Sequence, residues 1–192
     1  MTTSLKALIS PAFFEVHRAI RRDEVNEVIL KGGRGSTKSS FASLEVLLQL
    51  IAHPQCHAVV IRKIKATLRT SVYAQMRWAV SALGLDEQVD CSVNPMQMVY
   101  KPTGQTVFFF GLDDAGKLKS IKTPFGYIGI LWFEELDQYD GPEEIRSVEQ
   151  SVQDKYGRKT TVENSMIQVD AAINSGNSGG GMFNTLGQLM VI

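Results

Sequence analysis

The stretch Asn26-Glu-Val-Ile-Leu-Lys-Gly-Gly-Arg-Gly-Ser-Thr-Lys-Ser-Ser40 decides the fold. Its three consecutive apolar residues, 28–30, predict a short buried strand, and residues 41–52 after it follow a helical period. A glycine-rich loop therefore joins a strand to a helix. Backbone N–H groups in such a loop, together with the N-terminus of the helix, form a cradle for anions.

The loop is a variant match to the P-loop, or Walker A, pattern. Gly32 stands six residues before Lys38 and Ser39 follows, but Thr37 replaces the second glycine. We expect Lys38 to reach the β- and γ-phosphates of ATP and Ser39 to ligate Mg²⁺. The alternative is a glycine-rich turn that binds nothing. The candidate nucleotide-binding residues are Gly32, Gly33, Arg34, Gly35, Ser36, Thr37, Lys38 and Ser39.

A second motif supplies acids. The hydrophobic run Ile130-Leu-Trp-Phe precedes Glu134 and Glu135, as in a Walker B strand. Glu134 is the candidate metal ligand, acting through water, and Glu135 the candidate residue that orients or deprotonates the attacking water. On a solvated helix the same two acids would carry no function.

Three arginines are candidates for the finger that stabilises transition-state charge. Arg34 lies inside the loop and is the third catalytic candidate, beside Lys38 and Glu135. Arg62 and Arg69 are its rivals, and each could equally be surface charge.

Strand and helix patterns alternate along the rest of the chain. This alternation, with the glycine loop, predicts an α/β fold of the P-loop NTPase type, a mainly parallel sheet with helices on both faces. The further predicted elements are a helix opening at Pro11, strands 57–61 and 127–133, a helix 66–83, and a hairpin of 97–100 with 106–110.

Length and composition limit the classes of protein to which this chain can belong. The chain has 192 residues, 44% of them hydrophobic, and two cysteines, which suits one medium domain without a disulfide framework. No apolar run approaches a membrane span, so we expect a cytoplasmic protein without a membrane partner. The net charge of zero hides an excess of basic residues in 1–70 and of acidic residues in 71–192.

Seven blocks resemble the large terminase subunit of tailed bacteriophages, PBSX-type, over about residues 5–151. The blocks are Lys31-Gly-Gly-Arg-Gly-Ser-Thr-Lys-Ser-Ser, Val60-Ile-Arg-Lys, Ser71-Val-Tyr-Ala-Gln-Met-Arg-Trp, Gly111-Leu-Asp-Asp, Lys117-Leu-Lys-Ser-Ile-Lys, Pro124-Phe-Gly-Tyr and Trp132-Phe-Glu-Glu-Leu-Asp-Gln. The resemblance implies the N-terminal ATPase domain of a motor that docks on the portal and drives double-stranded DNA into the capsid.

The same resemblance implies further partners and roles. A small terminase subunit and a ring of identical subunits are expected during packaging, in the cytoplasm of a bacterial host that carries the phage or prophage. Lys38, Ser39, Glu134 and Glu135 keep the roles given above, and Arg34 becomes a better finger candidate. The expected activity is Mg²⁺-dependent ATP hydrolysis.

The C-terminal segment departs from that family. Neither the Asn-Pro-Pro coupling strand nor the nuclease domain follows, and residues 160–192 resemble the nucleophile segment of an HtrA-type, trypsin-like serine protease, with Ser178 as nucleophile. We therefore expect a chimera: an incomplete ATPase domain, 1–151, and a protease-like fragment, 152–192, that is not an independent domain. The resemblance implies that this fragment is a short β-rich C-terminal appendage. Residues 166–173 could add a strand to the ATPase sheet, with Asn174 near the position of the coupling asparagine.

The sequence is compatible with three functions. The first is the ATPase of DNA packaging, and the second is a nucleotide-binding or assembly module that does not hydrolyse ATP. The third is a serine hydrolase using Ser178. The chain carries only three histidines, all in the terminase-like part, so a complete protease triad is not expected.

Overall fold

A seven-stranded sheet forms the centre of the fold in the computed structural model, which describes residues 4–33, 35–114, 121–153, 164–169, 182–183 and 189–190. The strands are β1 (Glu27–Lys31), β2 (Cys56–Arg62), β3 (Val89–Val93), β4 (Met96–Tyr100), β5 (Gln105–Gly111), β6 (Tyr127–Phe133) and β7 (Asn164–Val169). Their order across the sheet is β1-β7-β6-β2-β5-β4-β3. The first five strands in that order are parallel, and β4 and β3 add an antiparallel edge.

Helices cover both faces of the sheet. They are α1 (Leu5–Leu8), α2 (Phe14–Arg21), α3 (Lys38–Ala52), α4 (Val72–Ala82) and α5 (Pro142–Gln153). Alternate residues of a strand face opposite sides. Accordingly Trp132 of β6 packs in the core that contains Leu44 of α3, while Phe133 packs in the core that contains Val148 of α5. The prediction of a mainly parallel α/β sheet with helices on both faces is confirmed.

The C-terminal residues supply three short strands. A two-residue strand, β8 (Met182–Phe183), pairs antiparallel with β9 (Leu189–Met190). The predicted strand at 166–173 exists but runs from Asn164 to Val169, and it lies inside the sheet, between β1 and β6. Asn174 and Ser178 lie outside the described residues.

The helix predicted from residue 66 begins at Val72 instead. Residues 65–67 form a separate 3-10 turn. The Thr67 hydroxyl donates to the Ile64 carbonyl at 2.7 Å, and the Ser71 hydroxyl donates to the Thr67 carbonyl at 2.7 Å. Hydroxyl side chains that bond to nearby backbone compete with regular helix, so the apolar spacing alone overestimated the length of this helix.

The side chain of His57, in β2, bonds to β5 and to the segment that precedes β6. It is fully buried. Its Nδ1 accepts a hydrogen bond from the Thr106 backbone N–H at 3.0 Å, and its Nε2 donates to the Phe125 carbonyl at 3.0 Å. Because one ring nitrogen must accept and the other donate, the imidazole is neutral. Burial lowers the pKa of His57, against a smaller opposing effect of the Phe125 carbonyl.

This lowered pKa predicts a loss of stability in mild acid. The unfolded chain binds a proton at His57 more readily than the folded chain does, so the free energy of unfolding falls as pH drops below about 6.5. Urea unfolding of the unaltered chain at pH 7.5 and 5.5 should show this fall, and His57→Gln should reduce it. His53→Gln, at a half-buried histidine, is the control. An equal pH dependence in all three proteins would contradict the prediction.

Candidate active site

Five parallel strands end at one edge of the sheet, and the loops that follow two of them bring the predicted residues together. β1 leads into Gly32, and β6 leads into Glu134. Only β7 separates these two strands, with Val169 paired to Lys31. Ligands of parallel α/β sheets bind outside the carboxyl ends of the strands. The glycine loop and the acid pair therefore lie one strand apart at the edge where a ligand is expected.

The glycine loop turns tightly into the N-terminus of α3. Gly35 has a positive φ of 78°, and the Ser36 N–H donates to the Gly33 carbonyl at 3.3 Å. α3 then begins at Lys38 and continues for 15 residues. In helices generally, the first N–H groups lack acceptors within the helix, which is what makes a helix N-terminus attractive to phosphate. Arg34 lies outside the described residues.

Lys38 occupies the middle of this loop. The side chain is buried, with 3% of the residue exposed. Its ammonium donates to the Gly32 carbonyl, to the Gly33 carbonyl at 3.1 Å and to the Ser36 hydroxyl at 2.8 Å. The loop is thus curled around a positive charge, as a site for phosphate requires.

Thr37 lies in a backbone conformation that glycine adopts more readily than other residues. Its φ and ψ are 61° and 14°, in the left-handed region, and its carbonyl accepts the N–H of Phe41 at 2.9 Å to start the helix. That conformation costs a non-glycine residue about 1–2 kcal/mol. Threonine at this position therefore adds local strain to the loop.

The acid pair shares one arginine. Arg62 ends β2, the neighbour of β6 in the sheet. Its Nε lies 3.5 Å from Oε2 of Glu134, and its Nη2 donates to Oε2 of Glu135. Glu134 is buried, whereas the Glu135 side chain is 24% exposed. Like charges at adjacent positions repel, and the guanidinium between them offsets that repulsion.

Glu135 is also conformationally unusual. Its φ and ψ are 54° and 57°, again in the left-handed region, and it caps a 3-10 turn over residues 136–138. The amide of Gln138 donates to Oε2 of Glu135 at 2.6 Å. Strained backbone in a non-glycine residue concentrates at functional sites, where the surrounding structure must hold it.

Lys63 forms a second group of ion pairs, next in the chain to the one that Arg62 forms with Glu134 and Glu135. Its ammonium contacts Asp140 at 2.7 Å and Glu144 at 2.8 Å, and hydrogen bonds from these two carboxylates raise the pKa of Lys63 above its ordinary value. The buried hydroxyl of Tyr139 donates to the Ile61 carbonyl at 3.0 Å. These contacts tie the segment after β6 to the end of β2.

The donor set suits a magnesium ion carried with a nucleotide. Among the residues with a described position, no group of three or more His, Cys, Asp or Glu side chains is arranged to hold a metal. Magnesium in nucleotide sites needs only one or two protein oxygens, with phosphates and water completing its shell. The carboxylate of Glu134 and the hydroxyl of Ser39 would supply such oxygens. The two carboxylates already hold one cation, Arg62, so positive charge is accommodated there.

The structure thus places the described members of the predicted site at one edge of the sheet. Loop residues Gly32, Gly33, Gly35, Ser36, Thr37, Lys38 and Ser39 lie at the end of β1 and the start of α3, and Glu134 and Glu135 follow β6. No local pattern in the sequence indicates a role for Lys63 or Gln138. From the sequence Arg62 is only a finger candidate, because the contact between the ends of β2 and β6 depends on a strand order that no local pattern contains.

No helix in the described parts of the chain has the length and apolar character needed to cross a membrane.

A family model described as "Phage terminase large subunit" matches residues 24–168. The large terminase subunit of Bacillus phage SPP1 is 33% identical over 148 residues, which cover 77% of this chain and 35% of that protein. The PBSX phage terminase large subunit of Bacillus subtilis strain 168 is 33% identical over 118 residues, covering 60% of this chain and 26% of that one.

The fold is also similar to a solved structure, the N-terminal domain of the DNA packaging ATPase from bacteriophage phi29. The TM-score is 0.60 at 15% identity, and the superposition covers 90% of this chain and 84% of that domain. At this identity the likeness concerns the fold alone. The chain spans about a third or less of the length of the two terminase subunits it matches.

Proposed function

This chain belongs to the phage terminase large subunit family, and we propose that it is the ATP-binding and ATP-hydrolysing motor region of such a subunit. The observation that carries the proposal is the pairing of two structures at one sheet edge. A loop curled around the buried ammonium of Lys38 lies one strand away from the acids Glu134 and Glu135. Phosphate binding and activation of water are the two requirements of nucleotide hydrolysis.

Residues 32–39 would hold the phosphates of ATP. The N–H groups of the loop and of the first turn of α3 donate to phosphate oxygens, and Lys38 exchanges its loop acceptors, Gly33 and Ser36, for the β- and γ-phosphates. The ammonium is already buried, so little of its desolvation remains to be done when phosphate arrives.

Ser39 and Glu134 would hold the magnesium ion, Ser39 by its hydroxyl and Glu134 through water. When bound, Mg²⁺ neutralises charge that develops on the phosphate oxygens. Glu134 is buried at the end of a rigid central strand, which keeps its carboxylate at a fixed place relative to the loop.

Glu135 would act on the attacking water. A carboxylate next to the phosphate site orients the water and accepts its proton as the bond to phosphorus forms. In the described conformation Arg62 binds Glu135 and lies beside Glu134, so we assign its charge to stabilising these two carboxylates. Arg34 remains our candidate for the finger on the γ-phosphate, with Arg69 as the other alternative.

The motor would couple hydrolysis to translocation of double-stranded DNA into the capsid. By family membership its partners would be the portal protein, the small terminase subunit and further copies of the subunit in a ring, in the host cytoplasm. We place the end of the motor region after β7 rather than at residue 151. The family match runs to residue 168, and β7 pairs with both β1 and β6.

Two other functions are separated by experiment. Thr37 in a left-handed conformation favours the alternative of a module that binds ATP without hydrolysing it, because a strained loop can hold phosphate and still misplace it. The serine-hydrolase alternative, with Ser178 in a protease-like fragment of residues 152–192, receives no support from the comparisons.

The deciding experiment measures ATP hydrolysis by the purified chain with Mg²⁺, with and without double-stranded DNA, alongside binding of a fluorescent ATP analogue. Mg²⁺-dependent turnover that rises with DNA supports the motor. Binding without turnover supports the non-hydrolysing module, and the absence of binding overturns both. A fluorophosphonate probe is expected to leave Ser178 unlabelled.

A further inference from the structure

The two oxygens of the Glu135 carboxylate are in different situations. Oε2 accepts hydrogen bonds from Arg62 and, at 2.6 Å, from the side-chain amide of Gln138. Oε1 has no hydrogen bond among the described contacts of this part of the chain. One oxygen is therefore held from two sides, while the other is the one with room to accept a proton.

The backbone brings Gln138 to that position. Glu135 caps the 3-10 turn of residues 136–138 in a left-handed conformation, and the Gln138 N–H donates to the Glu135 carbonyl at 2.9 Å. The side-chain amide of Gln138 then closes the same turn onto the carboxylate. Backbone and side chain of one residue thus both bind Glu135.

Arg62 alone would not fix the carboxylate. Its guanidinium is shared, because Nε lies 3.5 Å from Oε2 of Glu134 while Nη2 serves Glu135. A carboxylate held by one shared donor can rotate about its terminal torsion, which is broad. A second donor from the opposite residue of the turn restricts that rotation.

We propose that Gln138 is a positioning residue: it holds Oε2 of Glu135 beside Arg62 so that Oε1 is presented to the attacking water. The proposal rests on the proposed ATPase function. Gln138 is exposed, so its hydrogen bond contributes little to folding, and its effect is on the orientation of the base. Small misplacements of catalytic groups have large effects on rate.

The test compares Gln138→Ala and Gln138→Met with Asp137→Asn, an exposed neighbour on the same turn. We expect both Gln138 variants to lower kcat about tenfold. KM and the affinity for the fluorescent ATP analogue should stay within about twofold of the values for the unaltered chain. The midpoint of unfolding should not change. Asp137→Asn should leave kcat unchanged. In a Glu135→Gln background, Gln138→Ala should cause no further loss, because the group that it positions is gone.

The possible outcomes distinguish the proposed role of Gln138 from the proposed ATPase function on which it rests. Absence of turnover in the unaltered chain overturns the ATPase function and the role of Gln138 together. Turnover that depends on Glu135 but is unaffected by both Gln138 variants overturns the role of Gln138 alone. A rise in KM at constant kcat also overturns it, since that result indicates a contact used in substrate binding.

Discussion

Glu135→Gln is expected to reduce ATP turnover by about 10²–10⁴-fold while the chain still binds ATP, the range that loss of a general base produces. Glutamine has nearly the same shape and can still contact the Gln138 amide, but it does not accept a proton from water. Glu134, buried beside Arg62, remains as the partner of the guanidinium. The substitution therefore removes the base without leaving a buried cation alone.

The measurement is single-turnover hydrolysis of saturating ATP, with affinity for the fluorescent analogue determined in parallel. Glu143→Gln is the matched control, because Glu143 is an exposed acid on α5 that pairs with Arg146 three residues away. Its turnover should equal that of the unaltered chain. Retained turnover in Glu135→Gln would assign the base to another residue.

Lys38→Ala is expected to lower the affinity for ATP by about 100-fold or more and to remove measurable turnover. The lysine supplies a charge-assisted contact to phosphate, and such contacts are the strongest hydrogen bonds available to a protein. The variant also removes the donor that links the carbonyls of Gly32 and Gly33 to the Ser36 hydroxyl. The loop then loses the internal bonds that keep it curled.

Titration with the fluorescent ATP analogue checks this result, and circular dichroism shows whether the variant is folded. Lys101→Ala is the control, since Lys101 is an exposed lysine in the turn between β4 and β5. A folded Lys38→Ala that binds ATP normally would rule out the P-loop role of residues 32–39. A loss of affinity in both variants would indicate an effect of net charge alone.

The parts of the site that local sequence determines could be predicted. A strand, a glycine loop and a helix are adjacent along the chain, so the position of Lys38 relative to β1 followed from spacing. The same holds for Glu134 at the end of β6, whose predicted bounds, 127–133, are those of the structure. Buried strands in a parallel sheet are continuous apolar runs, which are easy to recognise.

The remaining parts depend on contacts between distant segments. Arg62 and Glu135 are 73 residues apart and meet because β2 and β6 are neighbours. The sequence pattern does not predict β3, because two of the five residues in Val89-Asp-Cys-Ser-Val are polar and the strand lies at the edge of the sheet. The left-handed conformation of Glu135 had no signal at all, since the residue type does not favour it.

The position of β7 links the order of synthesis to the closure of the sheet. β1 is made before β6, but within the described chain its strand partner is β7, which is made after β6. The core packing of α3 against β6 can already bring the helix that follows the glycine loop onto the acid-bearing strand. The backbone link between β1 and β6 still needs residues 164–169, and pairings between distant segments form slowly. A ribosome-bound chain that stops before residue 164 therefore holds the two strands of the site by side-chain packing, without the strand that joins them by hydrogen bonds.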